Sequence, residues 1–309
     1  MTFPSFYDPE RVGTLFQPDL LRIQREAEAA AIPPASGDRR RTALVLIDFQ
    51  VDFCHPTGSL VVPGAIGDLR RAIEFICRNA AAISEIHASL DSHVVFQIFH
   101  PAWWAGPDGK HPAPFTPIPP EEVRSGRWRP LFDPEWSRKY VEALAAGGRQ
   151  MLIIWPYHTM VGAVGQALDP ALHEALLFHS MARREQVRWL IKGTIPKTEY
   201  YSILEPEVKI ETEPRGTLNT AFLESVARND AVYLAGEAKS HCVLATIRSI
   251  MEYFKERPES IRKFRLLEDC TSSVKHPTID FEGTANAELA RYEKLGFGRV
   301  RSTDPLATS

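Results

Sequence analysis

Cys242 lies in GEAKSHCV, residues 236–243, between the apolar run AVYLAG (231–236) and a helical pattern that runs on through VLATIRSIMEYF. A thiol attacks a carbonyl only as thiolate, and it reaches that state beside a cation, at a helix N-terminus, or next to a base that accepts its proton. A strand-to-helix junction offers the second of these. The N–H groups and dipole at a helix start favour negative charge, and the same N–H groups can hold an oxyanion. The competing reading is a small buried hydrophobe, the usual state of an unpaired cysteine. Asp48 closes TALVLID (42–48) and Lys192 closes VRWLIK (187–192). Taken singly, the aspartate reads as a turn or helix cap and the lysine as a solvated strand end. Beside a thiol, an aspartate whose pKa is raised by partial burial serves as base and then acid, and an ammonium steadies both the carboxylate and the oxyanion. Asp52 and Lys197 are rivals for these roles, each set farther from its strand end.

A second group of residues suits a metal. SLDSHVVFQIFHP (89–101) carries Asp91, His93 and His100, and WPYHT (155–159) adds His158. Asp91 and His93 are two positions apart, so on an extended segment both project from one side. Carboxylate and imidazole donors with open positions suit a divalent ion, zinc first, with iron or manganese as alternatives. The alternative is a set of hydrogen-bonded histidines.

Side chains drawn from stretches this far apart need a scaffold. Apolar runs of strand length recur at 42–48, 82–90, 151–155, 187–192, 231–236 and 264–269, and helical patterns fall near 66–79, 134–146, 168–185, 217–228, 242–256 and 278–294. This alternation predicts an α/β fold of three layers, helix, sheet and helix, around an open sheet of about six mainly parallel strands. In such sheets ligands bind beyond the carboxyl ends of the strands, where Asp48, Asp91, His93, His158, Lys192 and Cys242 would all lie. Residues 1–41 read as an N-terminal extension that packs on the core or on a neighbouring subunit, and 42–309 as the domain itself. The stretch GPDGKHPAPFTPIPPEE (106–122) is too proline-dense for regular structure and marks a long surface loop.

Composition narrows the partners. A formal net charge of −3 over 309 residues gives no basic footprint for nucleic acid. There is no run of about 18 apolar residues to span a bilayer and no leader-like start, so no membrane is expected and a cytoplasmic location is. Four cysteines, Cys54, Cys77, Cys242 and Cys270, show no CxxC spacing and fit neither a disulfide scaffold nor a structural zinc site.

The ordered stretches LIDFQVDF (46–53), SLDSH (89–93), WPYH (155–158), IKG (191–193) with YYS (200–202), GEAKSHCV and LLEDCTSS (266–273) resemble the nicotinamidase branch of the isochorismatase-like cysteine hydrolases. The resemblance runs from about Thr42 to about Val300. It implies a catalytic triad of Asp48, Lys192 and Cys242. The aspartate takes the thiol proton, the thiolate attacks an amide carbonyl, ammonia leaves, and water cleaves the thioester. It also implies that Asp91, His93 and His158 bind a metal that holds a pyridine nitrogen or a water, with His100 as an additional ligand. Phe53 and Trp155 would sandwich a small aromatic amide. A cis peptide before Ala238 would turn the N–H groups of Ala238 and Cys242 toward the oxyanion, and relatives of this kind self-associate. The segment 103–150 is longer than the family's usual connection and reads as an insertion near the pocket. Two other readings stay open: a metal-independent relative that hydrolyses a carbamoyl or ureido compound, and a catalytically silent member that binds a ligand.

Overall fold

The strand β1, Thr42–Ile47, is buried at every position, because helices cover both of its faces. Five further strands join it: β2 (Glu85–Asp91), β3 (Arg188–Lys192), β4 (Ala231–Gly236), β5 (Phe264–Leu267) and β6 (Gly298–Val300). All neighbours are parallel, in the order β6-β5-β4-β1-β2-β3. The chain is a computed structural model that describes residues 3–147, 151–276 and 278–307. Positions 148–150 of the expected insertion, and the ends of the expected extension and domain at 1–2 and 308–309, lie outside the described residues.

Alternation along β1 sorts side chains between two cores. Leu44 and Leu46 meet Leu69, Ile73 and Ile76 of the helix Ala65–Asn79, together with Leu172 and Leu176 of the helix Pro170–Arg183. Ala43, Val45 and Ile47 meet Leu223, Ile247, Ile250 and Leu289 on the opposite face. Burying each such leucine or isoleucine contributes about 1.5–3 kcal/mol, so these two faces hold the sheet in place and with it the loops at its carboxyl edge.

The helix Leu20–Ala29 of the N-terminal arm buries Ile23 and Ala27 with Phe6 against Phe178 and Ala182 of the same chain. Gly13 N–H donates to Asp169 Oδ2 at 3.0 Å, and the other oxygen of Asp169 caps the helix Pro170–Arg183.

The expected strand over 151–155 is not in the central sheet. Only Leu152–Ile153 is extended, paired antiparallel with Pro117–Ile118 in a separate two-stranded ribbon. The sixth strand is instead β6, near the C-terminus, half-buried at the sheet edge. The run MLIIW is apolar because it feeds a third core, in which Trp104, Ile118, Tyr140 and Leu144 of the expected insertion pack with Ile98 and Trp155 from either side of it. A short apolar run carries no record of which partner it pairs with.

The strand order reverses direction between β1 and β4, since β2 and β3 extend the sheet one way and β4 to β6 the other. Such a switch point leaves a crevice at the carboxyl edge. Asp48 follows β1, and Cys242 follows β4.

Candidate active site

Asp48, at the end of β1, has a left-handed backbone with φ of 51°. A side chain other than glycine in that region is strained by about 1–3 kcal/mol, and here the surroundings hold it. Asp48 N–H donates to Ser89 Oγ at 3.0 Å, and the same hydroxyl donates to Asp48 Oδ1 at 2.6 Å.

Register does the next step. Asp91 of β2 and Lys192 of β3 are paired directly across adjacent strands, which sets the Lys192 ammonium 2.9 Å from Asp91 Oδ1. The same nitrogen is 3.0 Å from Asp48 Oδ2, donates to Tyr200 O at 2.9 Å and reaches Cys242 Sγ at 3.7 Å. Three ammonium hydrogens thus face four partners. The two carboxylate contacts are close ion pairs rather than well-aligned hydrogen bonds. Burial pushes the Asp48 carboxyl up, against the pull of Lys192. Burial also pushes the Cys242 thiol well up, again opposed by Lys192 and reinforced by the charges of Asp48 and Asp91, so the resting sulfur keeps its proton at neutral pH. For Lys192, burial favours the neutral amine, but the two aspartates outweigh it and the group stays above its ordinary value.

The loop before Cys242 is tied on both sides. Glu237 N–H donates to Ile47 O at 2.9 Å, Gly236 N–H to Cys270 O at 3.1 Å, and Lys239 N–H to Ser272 O at 2.8 Å. The stretch LLEDCTSS therefore clamps this loop through its backbone. Gly236 is required by close approach, since a Cβ there would stand 2.1 Å from Ile47 O. The peptide bond Glu237–Ala238 is cis. From Lys239 to Val243 the chain makes one wide helical turn, closed by Val243 N–H to Ala238 O at 3.2 Å, and then continues as the helix Leu244–Tyr253. The helix thus starts three residues earlier than the sequence pattern indicates, and Cys242 falls within its first turn.

Asp91, His93 and His158 each turn one donor atom into a common space, all within 4.8 Å of one another. His158 Nδ1 faces Pro156 O at 2.7 Å, which leaves Nε2 toward Asp91 Oδ2 at 3.9 Å. Burial and the neighbouring His93 push the His158 imidazole down to about 3, the neutral state a metal needs. His93 Nε2 lies 2.9 Å from Asp91 Oδ2, and its Nδ1 lies 3.1 Å from Gly193 O and 3.2 Å from the Gln97 amide nitrogen. Carbonyl partners that set the orientation of ligating histidines are a regular feature of metal sites, so these residues fit a divalent ion. His100 is not among the three donors that meet within 4.8 Å, and its buried Nε2 has no hydrogen-bond partner. Its Nδ1 faces Val94 O and Val95 O at 3.1 and 3.2 Å, and its ring centre is 5.8 Å from that of His93 and 6.1 Å from that of His158.

A cavity open to solvent at its mouth joins the two groups. Phe53, Phe99, Trp155 and Tyr201 line it together with Cys242, Ala238 and the three donors, an apolar enclosure with a few polar groups converging on it. The rival residues lie elsewhere. Asp52 accepts from Thr159 N–H at 2.7 Å and Ser59 N–H at 3.1 Å, and Lys197 pairs with Asp133 at 2.6 Å.

Some residues of the site carry little sequence signal. Gln50 brackets the backbone of Asp91, donating to its carbonyl at 2.8 Å and accepting from its N–H at 2.7 Å. Gly193 has φ of +77°, and a Cβ there would lie 2.5 Å from both Asp91 Oδ1 and His93 Cε1. Ser89 shares a face of β2 with Asp91, two residues on, and that spacing is the one signal that points to it. Glu199 and Tyr201 follow β3 and become wall residues only through the fold.

No protein-family model matches the chain, and no curated protein matches it. Solved structures do. The nicotinamidase of yeast is 20% identical with a TM-score of 0.58, over 84% of this chain and 99% of that one. A nicotinamidase and pyrazinamidase of Acinetobacter baumanii is 19% identical with a TM-score of 0.55, over 85% and 97%. The fold is isochorismatase-like. A third protein with this fold, from L. infantum and solved in complex with nicotinate, is 18% identical with a TM-score of 0.51, over 86% and 95%. At these identities the isochorismatase-like fold is what the likeness carries. Among the described residues no helix is long and apolar enough to cross a membrane.

Proposed function

We propose that the chain is a cysteine-dependent amidohydrolase that converts a small heteroaromatic amide, such as nicotinamide, to the acid and ammonia. The observation that carries this is the single ammonium of Lys192 in reach of Asp48, Asp91 and Cys242. Likeness of fold to proteins named as nicotinamidases supports the same reading.

The Cys242 thiol gives its proton to the Asp48 carboxylate as Sγ forms a bond to the amide carbonyl carbon. Charge then gathers on the carbonyl oxygen, within range of the N–H groups of Ala238 and Cys242 at the loop and helix start. Asp48 returns the proton to the amide nitrogen, the C–N bond breaks and ammonia leaves. Water, giving a proton to Asp48, attacks the thioester carbon, and the C–S bond breaks to release the acid and the thiolate. The thiolate recovers its proton from Asp48. Lys192 stays charged throughout and offsets whichever of Asp48 or Cys242 is negative. Phe53 and Trp155 supply faces for a flat ring, about 1 kcal/mol for each good contact beyond area burial. Asp91, His93 and His158 would hold the divalent ion, which supplies a Lewis-acid anchor for a ring nitrogen or a water.

The test is ammonia release from a panel of small amides, nicotinamide included, by wild type and by Cys242→Ala, each with and without chelator. Release by the wild type alone, reduced by chelator, is the expected result. Equal release by the two proteins overturns the mechanism, and wild-type activity indifferent to chelator overturns the role of the ion.

A further inference from the structure

Glu199 is a fully buried carboxylate on the cavity wall that the steps above do not use. Three donors converge on it. Tyr201 OH donates to Oε1 at 2.6 Å, Trp155 Nε1–H to the same oxygen at 3.2 Å, and Tyr140 OH to Oε2 at 3.0 Å. Tyr140 OH also accepts from Glu199 N–H at 2.8 Å, and Trp155 Nε1–H is shared with Tyr201 OH at 3.0 Å. Trp155 and Tyr201 are walls of the cavity, whereas Tyr140 belongs to the helix Pro134–Gly147 of the insertion. A second tie joins the same two parts of the chain, from Trp136 Nε1–H to Lys197 O at 2.7 Å.

We propose that Glu199 is a positioning residue for the substrate ring: its carboxylate fixes the edges of Trp155 and Tyr201, and the insertion holds it there through Tyr140. This rests on the reading of the site as one for a flat aromatic amide. An ionised carboxylate can accept from all three donors at once. A protonated one places its own hydrogen where a tyrosine hydroxyl is already donating, so that hydroxyl must turn its hydrogen away, and the remaining bonds lose the strength that the charge gives them. The groups that face Glu199 are Tyr140, Tyr201, Trp155 and the more distant Glu207. Burial, aided by Glu207, raises the Glu199 carboxyl to about 7, with the Tyr201, Trp155 and Tyr140 hydrogen bonds opposing. The His241 ring beside Trp155 and Tyr201 is pushed down to about 4 by burial and stays neutral through this range. The sign follows. The walls are fixed above neutrality and loosen as pH falls through about 7, so substrate affinity declines on the acid side.

The test is the pH profile of KM and kcat for nicotinamide in wild type, Glu199→Gln and Tyr140→Phe. Loss of one such hydrogen bond corresponds to roughly a fivefold change. Wild-type KM is expected to rise by roughly that factor as pH falls through neutrality. Glu199→Gln should hold a raised KM that no longer changes with pH, and Tyr140→Phe should shift the transition upward, because it removes a bond to the ionised form. A Glu199→Gln profile that matches wild type, or a loss confined to kcat, overturns the proposal. A readout independent of turnover is the fluorescence of Trp155, taken as wild type minus Trp155→Phe. It should titrate near neutrality and stop doing so in Glu199→Gln. If no amide releases ammonia, the proposed activity fails, and this fluorescence still decides whether Glu199 grips Trp155; a difference signal flat in pH overturns that grip.

Discussion

Lys192→Met removes the cation at the centre of the site and keeps an unbranched chain of similar length. The side chains of Lys192 and Asp48 are 2% and 0% exposed, and that of Asp91 is 6% exposed. The variant therefore leaves two carboxylates buried, one of them still beside His93. Breaking a buried ion pair by removing one partner costs about 3–5 kcal/mol, a large share of a total stability on the order of 5–15 kcal/mol. The cost must depend on pH. Without the ammonium, the main opposition to burial at Asp48 is gone and the folded-state pKa of that carboxyl rises further above its unfolded value, whereas Asp91 keeps its His93 partner; at Asp48 the folded variant therefore binds more protons than the unfolded chain. Its stability is then greatest below the ordinary carboxyl range and falls as pH rises through and above that range, so the deficit against wild type grows with pH. The second change Asp48→Asn removes one of the two charges and should recover at least about 1 kcal/mol, while the double variant stays inactive. Urea unfolding followed by circular dichroism, with chelator in every sample to keep metal linkage constant, measures all of this. A Lys192→Met protein within about 1 kcal/mol of wild type near neutral pH, or a double variant less stable than the single, would refute the placement of Lys192 between two charged aspartates.

Two further outcomes follow from the same geometry. Asp48 must be ionised to accept the thiol proton and burial raises its pKa, so kcat/KM should climb with pH over a window above the ordinary aspartate range, and Asp48→Asn should lower kcat by about 10²–10⁴-fold; an acid limb at the usual aspartate value counts against this base. Gly193→Ala puts a methyl 2.5 Å from Asp91 Oδ1 and His93 Cε1 at a φ of +77°, so zinc retained after dialysis, read by elemental analysis, should show affinity about 10–100-fold weaker, and unchanged affinity would mean that these two side chains do not form the metal site.

Local pattern was enough to place Asp48, Asp91, Lys192 and Cys242 at the ends of apolar runs. β1 shows the reason: a parallel strand covered on both faces reads as an apolar run, and the polar residue that ends it, Asp48, marks the edge where ligands gather. Helices such as Ala65–Asn79 and Pro170–Arg183 were legible for a related reason, since each needs only one apolar face and keeps its period. Pairing was not legible. MLIIW has the composition of a central strand and lies in the core of the insertion, while Gly298–Val300, short and half-buried, takes the sheet's edge.

At the site, the distance of His100 from His93 along the chain says nothing of the turn that points its Nδ1 at Val94 O and Val95 O and leaves its Nε2 buried without a partner. Glu199 shows this limit most plainly. No spacing announces that a carboxylate after β3 meets a tyrosine some sixty residues earlier, because that contact exists only once the helix Pro134–Gly147 has packed against the segment that follows β3. Sequence alone determined which residues could do chemistry and the kind of sheet that carries them. Tertiary structure decided which of them share one ammonium, which share one cavity and what holds the cavity's walls, because those facts depend on register and packing between segments that no local pattern links.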